Sequence, residues 1–289
     1  MADLIKGLDI SVIQGNVDFK AVAATGVQFV IFRCGVGNGG KDSFYDKNVA
    51  AAIAAGLKVG AYHFIYPLPP QVGQPLRDPV KQAQLHVGWA GSTSTVPVIC
   101  CDLEWPAPQD WAKWGCSAAQ IVQWTVTYLE AYEAATGVRP IVYTYPNFAA
   151  NIHLPDSFGQ KYKLWIASYQ AGSPFVPHPW TDWVLWQDSG GTGPNAQHLP
   201  SGAPVDGDKA KDLSLWDVQA QAPVPVTPPP DPTPAPAPVV VPDPTPAPAP
   251  APAPVAPNPP PGSPPPASPN IFLLIWQIVQ GLFSKYLKK

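Results

Sequence analysis

Along residues 1–220, short runs rich in Val and Ile alternate with stretches whose apolar positions recur at helical spacing. The runs predict strands at Leu4–Ser11, Val27–Arg33, Lys58–Ile65, Val96–Leu103, Pro140–Thr144, Lys163–Ser168, Trp183–Trp186 and Asp212–Leu215. The helical spacing predicts helices at Phe19–Ala24, Tyr45–Ala55, Val80–Ala90 and Ala118–Ala135. Gly56 and Gly137 fall just past two of these helices, where a left-handed cap favours glycine. Alternation of this kind predicts an α/β fold, a (β/α) barrel with parallel strands.

The pattern breaks at about residue 221. Through residue 269 the composition collapses to Pro, Ala, Val, Thr and Asp, and Asp231-Pro232-Thr233-Pro234-Ala235-Pro236-Ala237-Pro238 recurs at 243–250. Proline withholds the backbone donors that helices and sheets require, so this tract reads as a disordered, extended linker. At roughly 3 Å per residue it would reach on the order of 100 Å. Alternating Pro-Ala without flanking basic residues favours a spacer over a ligand for a proline-binding module.

Residues 270–289 return to a helical period. Phe272, Ile275, Val279, Leu282, Phe283, Tyr286 and Leu287 fall on or beside one face, opposite Gln277, Gln280, Ser284, Lys285 and Lys288. Asn270 is placed to cap the start, and the lysines sit at the end that the helix dipole favours for cations. A cationic amphipathic helix predicts contact with a bacterial membrane surface or outer membrane through Phe272, Ile275, Trp276, Val279, Leu282, Phe283, Lys285, Tyr286, Lys288 and Lys289. It makes a poor transmembrane span, because Gln277 and Gln280 interrupt the apolar run and Lys285 ends it short of about 20 residues. Docking on the folded domain, or self-association, is the competing reading.

Composition narrows the class. The 289 residues include 11 Trp, 10 Tyr and 10 Phe, enough for one sizeable core in residues 1–220. A net charge of −3 leaves no nucleic-acid footprint. Four cysteines in a chain of this length do not make a disulfide framework, and all four read as reduced thiols. No second His or Cys stands at metal-ligand spacing from His63, and Cys100-Cys101 lacks the gap of a zinc knuckle, so neither metal nor cofactor is expected. His63 itself reads as a hydrogen-bonded core residue. The opening Met1–Gly7 lacks a basic region followed by an apolar one, so the expectation is synthesis in a host cytoplasm without a signal peptide. The chain would then reach its substrate through a membrane lesion or from outside, and is expected to act as a monomer.

The densest chemistry lies in Val96-Pro97-Val98-Ile99-Cys100-Cys101-Asp102-Leu103-Glu104-Trp105. Alternate strand residues share a face about 6.5–7 Å apart, so Asp102 and Glu104 should project together and Leu103 the opposite way. Two such carboxyl groups suit cleavage of an acetal, one protonated to donate and the other ionised to stabilise positive charge. Barrel chemistry gathers at the C-terminal ends of the strands. Asp9, Tyr62, His63, Phe64, Tyr143, Trp165, Trp186 and Gln187 are predicted there too. Aromatic rings among carboxylates suit a saccharide, whose C–H faces stack and whose hydroxyls hydrogen-bond. Trp111 and Trp114 either line that groove or pack on its rim.

At this point the chain resembles the family 25 glycoside hydrolases, the muramidases. The resemblance is carried by Gly7-Leu8-Asp9-Ile10-Ser11-Val12-Ile13-Gln14-Gly15, by Ala55-Gly56-Leu57-Lys58-Val59-Gly60-Ala61-Tyr62-His63-Phe64 and by Asp102-Leu103-Glu104. Gly137-Val138-Arg139-Pro140-Ile141-Val142-Tyr143, Leu164-Trp165-Ile166-Ala167-Ser168-Tyr169 and Leu185-Trp186-Gln187 add to it, in the family's order. The resemblance implies a flattened barrel that cleaves the β-1,4 bond between N-acetylmuramic acid and N-acetylglucosamine in bacterial peptidoglycan. It implies Glu104 as general acid/base, Asp102 positioning the substrate's 2-acetamido group or the developing oxazolinium, and Asp9 completing an acidic floor. Tyr62, Tyr143, Trp165, Tyr169, Trp186, Gln187 and Arg33 would contact substrate. Arg33 stands where many members carry an acid. The family's late Val-Asp-Leu-Asn strand is blurred into residues 205–214, with Asp212 aligned to its Asp as a further substrate contact and Asp206 the competing choice. Linker and tail lie outside the resemblance, although phage endolysins commonly append such parts.

Three functions compete: a muramidase of the phage endolysin type, a chitinase-like hydrolase, and a non-catalytic wall-binding, membrane-active protein. Chitinase-like enzymes resemble Asp-x-Asp-x-Glu, and Cys100 occupies the first Asp position, which argues against the second. An intact Glu104 argues against the third.

Overall fold

The structure is a computed structural model and describes residues 4–69, 77–191 and 196–217. The proline-rich tract and the segment 270–289, with Phe272, Ile275, Trp276, Val279, Leu282, Phe283, Lys285, Tyr286, Lys288 and Lys289, lie outside the described residues.

In chain order the elements are β1 Ile5–Ile10, α1 Phe19–Ala24, β2 Phe29–Val36, β3 Gly40–Lys41, α2 Tyr45–Ala54, β4 Lys58–Phe64, α3 Pro79–Ala90 and β5 Val98–Asp102. They continue with α4 Trp111–Trp114, α5 Ala118–Thr136, β6 Ile141–Thr144, α6 Pro146–Ile152, α7 Asp156–Lys161, β7 Leu164–Ala167, β8 Leu185–Gly190, β9 Gln197–His198 and β10 Pro204–Ala210. Local sequence explains the long helices. Asp78 accepts from the Val80 and Lys81 backbone N–H groups ahead of Pro79, and Ser117 and Gln120 form a reciprocal capping box at the start of α5. Gly137 ends α5 at φ 71°, a left-handed cap.

The strands close into a ring, β1-β10-β8-β7-β6-β5-β4-β2, completed by pairing of β2 with β1. All neighbouring pairs in the ring are parallel except the two made by β10, which runs antiparallel to both β1 and β8. The expected final strand at Asp212–Leu215 is therefore corrected. Those residues enter a short 3-10 turn at Ser214–Trp216, and the closing strand is β10, which precedes them.

Each strand divides two apolar layers by its period of two. Leu8, Ile10, Val30, Phe32, Cys101, Leu103, Val142 and Ile166 pack outward against helical residues such as Phe19, Ala83, Tyr128 and Phe148. Phe29, Ile31, Val98, Cys100, Ile141, Trp165, Leu185 and Ala210 fill the barrel interior. Cys100 and Cys101 thus face opposite layers, and all four cysteines are free and buried. The interior is tightest at its base. Phe29 packs on Trp216 with ring centroids 4.8 Å apart, and a Cβ on Gly7 would run into the Phe29 ring.

Candidate active site

Above that apolar base the inward positions become polar. Asp9 comes from β1, Arg33 from β2, Tyr62 from β4, Asp102 from the last position of β5, Tyr143 from β6, Trp165 from β7 and Gln187 from β8. Each occupies the inward register of its strand. β10 adds two residues that reach the same chamber from the opposite chain direction, Asp206 paired in register with Asp9 and Asp208 with Gly7. Glu104 follows β5 by two residues and continues the inward register, while Leu103 joins the outer layer. Asp208 is 0% exposed, Asp102 4% and Asp9 5%, whereas Glu104 and Asp206 are half-buried nearer the opening.

Gln187 organises the centre. Its Nε2 donates to Asp9 Oδ2 at 2.7 Å, and its Oε1 accepts from Tyr143 Oη at 3.0 Å and Tyr169 Oη at 2.6 Å. Two phenol donors on one side and a carboxylate acceptor on the other fix the amide's orientation. Trp165 packs edge-on against Tyr143 and Tyr62, at 4.7 and 5.9 Å, and its Nε1 donates to Asp208 Oδ1 at 2.8 Å. Arg33 donates through Nε to Asp42 Oδ2 at 2.9 Å, and the same oxygen accepts the Val12 N–H at 2.9 Å. The guanidinium is thereby anchored beside the acids and lowers the proton affinity of both Asp9 and Asp102.

The carboxyl groups are close enough, and dry enough, to resist ionising together. Burial and the charge of Asp9 push Glu104 up to about 7. Burial, then Glu104 and Asp9, hold Asp102 well above the ordinary carboxylate range. Burial, then Asp9 and Glu104, raise Asp206 to about 8, and Asp208 is likewise raised, first by burial and then by Asp9. Asp9 rises least, to about 6, because Gln187, Asp208 and Arg33 offset its desolvation. The expectation of one protonated and one ionised acid on β5 is therefore modified: both acids there bind protons more tightly than usual, and Asp9 is the group best provided with partners for an anion.

Asp102, Glu104, Asp9, Tyr62, Tyr143, Trp165, Gln187, Tyr169 and Arg33 are brought together around the chamber, and two predicted contacts are not. Trp186 points outward: its Nε1 donates to Ser168 O at 2.8 Å, and Lys209 Nζ lies 4.7 Å from its ring. Leu185 and Gln187 face the interior, so the residue between them cannot. Asp212 is exposed and accepts the Ser214 N–H at 2.8 Å beyond the end of β10. Because β10 is antiparallel, the chain leaves it at the opposite end of the barrel, where Asp217 pairs with Lys58 and Trp216 donates to Val59 O.

His63 is on the outward register of β4, donating through Nε2 to Gly37 O at 2.7 Å, with Tyr128 Oη 2.9 Å from Nδ1. Burial lowers its proton affinity, to a pKa of about 3. It is a core residue. Trp111 packs on the rim, its Nε1 donating to Pro106 O and its ring 6.2 Å from Phe148. Trp114 also packs on the rim, its ring 4.9 Å from Trp105; sequence reasoning missed Asp208 and the packing of Trp105, next to Glu104 in the chain, on Tyr66 at 4.7 Å. Aromatic residues directly after strands β4 and β5 were its available signal.

Residues 8–192 match the model of the glycosyl hydrolases family 25. The chain belongs to this family. It is a glycoside hydrolase. The chain is 30% identical over 194 residues to an N,O-diacetylmuramidase of Chalaropsis sp, covering 64% of this chain and 88% of the relative. It is 30% identical over 175 residues to an autolytic lysozyme of Clostridium acetobutylicum, covering 60% of this chain and 47% of the relative. Among solved structures it is similar to a family 25 lysozyme from Aspergillus fumigatus, with a TM-score of 0.62, 25% identity, and coverage of 74% of this chain and 99% of that one. A bacterial lysozyme from Streptomyces coelicolor shares the fold, with a TM-score of 0.62 at 22% identity over 73% of this chain and 94% of that one.

Proposed function

We propose that this family 25 hydrolase cleaves the β-1,4 bond between N-acetylmuramic acid and N-acetylglucosamine in bacterial peptidoglycan. The observation that carries the reading is Glu104, half-buried at the mouth and raised to about 7, beside an Asp102 oxygen, Oδ1, that is buried without a hydrogen-bond donor among the described residues. Glu104 holds a proton at and below neutral pH and gives it to the departing glycosyl oxygen. The orphaned Asp102 oxygen suits an amide N–H of the substrate's 2-acetamido group, whose carbonyl then attacks the anomeric carbon. As positive charge develops on the acetamido group, its N–H hydrogen-bonds to the Asp102 oxygen, and Asp102 and the Asp9 anion beneath stabilise that charge. Glu104, now ionised, accepts a proton from the water that completes hydrolysis. The names of the relatives, a muramidase and a lysozyme, support the same substrate.

In the finer reading the chain is a phage endolysin, acting as a monomer, whose cationic segment 270–289 engages a bacterial membrane from the end of its proline-rich spacer. What supports this is the amphipathic pattern, Lys285, Lys288 and Lys289 without an acid, and the repeated Pro-Ala tract. The deciding experiment incubates the full chain with purified peptidoglycan and, separately, with chitin, and identifies the sugar at each new reducing end. N-acetylmuramic acid at the new ends is expected. N-acetylglucosamine there, or preferential release from chitin, would overturn the assignment. Removal of 271–289 should leave release from isolated peptidoglycan intact and reduce killing of cells with an outer membrane; equal killing would dismiss the membrane role.

A further inference from the structure

Asp208 is an acid with a single side-chain donor among the described residues. It is fully buried on the inward register of β10. Trp165 Nε1 donates to its Oδ1, while its Oδ2 receives no donor among the described residues. On the adjoining strand β1 the inward position next to its partner Gly7 is another carboxyl group, Asp9, and each acid shifts the other's proton affinity. A hydrogen bond between two acids requires that one of them keep its proton. The surroundings decide which. Asp9 receives the Gln187 amide and lies in the field of the Arg33 guanidinium, whereas Asp208 faces Cys100 from β5, Tyr169 following β7 and Asp206 on its own strand, with no cation among them. Asp9 is itself bordered by Tyr62, Asp102, Glu104 and Tyr143, so its ionised form depends on the donors that reach it.

We propose that Asp208 is a positioning residue that acts as a neutral carboxylic acid, donating its Oδ2 proton to the Asp9 carboxylate. With Gln187 it grips Asp9 from two directions and holds that anion beneath the mouth. Asp208 does not reach the substrate; it acts through Asp9. Its role rests on the reading of this chamber as the hydrolytic site. An amide can replace it, because the side chain in Asp208→Asn would still offer an oxygen to Trp165 and an N–H to Asp9. An alanine cannot. Since hydrogen bonding from Asp208 lowers the proton affinity of Asp9, loss of the donor should raise the pH at which Asp9 becomes ionised.

The test compares the full-length wild type with Asp208→Asn and Asp208→Ala, measuring kcat and KM on solubilised peptidoglycan across pH. Asp208→Asn should keep kcat within about threefold and leave the acid limb in place, whereas Asp208→Ala should lose about tenfold in kcat, move the acid limb to higher pH and leave KM within about twofold. An acid limb unmoved in the alanine variant, or an asparagine variant as impaired as the alanine one, would overturn the proposal. Infrared difference spectroscopy decides the protonation state without turnover. The wild type at about pH 7 should show a protonated-carboxyl band that Asp208→Asn lacks, and identical bands in the two would overturn it even if the alanine variant does not fold. A wild type inactive on peptidoglycan would refute the functional reading and leave this infrared outcome untouched.

Discussion

Glu104→Gln should stabilise the fold while ending turnover, and the gain should depend on pH. The carboxyl group is raised from 4.5 to about 7 by burial and by Asp9. At ~1.4 kcal/mol for each tenfold change in proton affinity, that difference corresponds to ~3 kcal/mol. The sign follows from linkage: the folded state binds this proton more tightly than the unfolded state, so stability is full below about pH 4.5 and falls as pH rises through about 7. Glutamine has nearly the same shape and never carries the charge. Urea unfolding of the full chain, followed by tryptophan fluorescence, should therefore give equal stabilities for wild type and variant near pH 4. By about pH 8 the variant should lead by ~2–3 kcal/mol, the lower end reflecting the half-buried position. Sugar release should fall by ~100-fold or more, since an amide cannot replace a general acid. A stability difference that is the same at both pH values, or a variant weaker at pH 8, would refute the claim that the site stores this strain.

Three further outcomes separate the chamber from its surroundings. Gln187→Leu removes the donor that Asp9 receives at 2.7 Å and the acceptor shared by Tyr143 and Tyr169, so kcat should fall ~10-fold or more and the acid limb of the pH profile should move upward; an unmoved limb counts against Asp9 working as an anion. Asp212→Ala should leave kcat/KM and the thermal melting midpoint essentially unchanged, because the side chain is exposed at the far end of the barrel. Tyr128→Phe strips a partner from both His63 Nδ1, at 2.9 Å, and His86 Nδ1, at 2.6 Å, and should cost ~1–3 kcal/mol in urea with kcat preserved, since this network lies in the outer layer.

How much of this site was legible from the chain can be judged residue by residue. The period of two along β5 places Asp102 and Glu104 on one face and Leu103 on the other, and they stand that way. The same period, applied to Leu185-Trp186-Gln187, admits either Trp186 or Gln187 inward but never both; burial of Leu185 in the interior selects Gln187. β10 escaped because its inward positions, Asp206 and Asp208, are acids, so Pro204-Val205-Asp206-Gly207-Asp208-Lys209-Ala210 lacks the apolar alternation by which half-buried strands announce themselves. Reversal of that strand then carried Asp212 away from the mouth. The helices α4, α6 and α7 have 4, 7 and 6 residues and no side-chain N-cap to mark their starts, unlike the equally short α1, where Asp18 accepts the Lys20 and Ala21 N–H groups.

The acids resist ionisation because of what lies under and behind them. Below Asp9 and Asp208 the barrel is plugged by Phe29, Leu185, Ile141, Val98 and Trp216, a buried apolar floor whose side chains offer little to solvate a second charge. Behind them, Leu8 and Ile10 beside Asp9, and Cys101 and Leu103 beside Asp102, pack into the large outer layer. Asp9 on β1 is thus held between Leu8 and Ile10, and Asp102 at the end of β5 between Cys101 and Leu103, so the burial that anchors these two segments is the burial that raises their acids. A drier floor raises proton affinity further and a wetter one lowers it. Opening the plug by Phe29→Ala should thus admit water beneath Asp9, and the alkaline limb set by Glu104 should move to lower pH even though Phe29 touches neither acid's role in bond cleavage. A limb that stays near 7 in a folded Phe29→Ala protein would show that the carboxyl groups govern one another directly and that the floor is irrelevant to their chemistry.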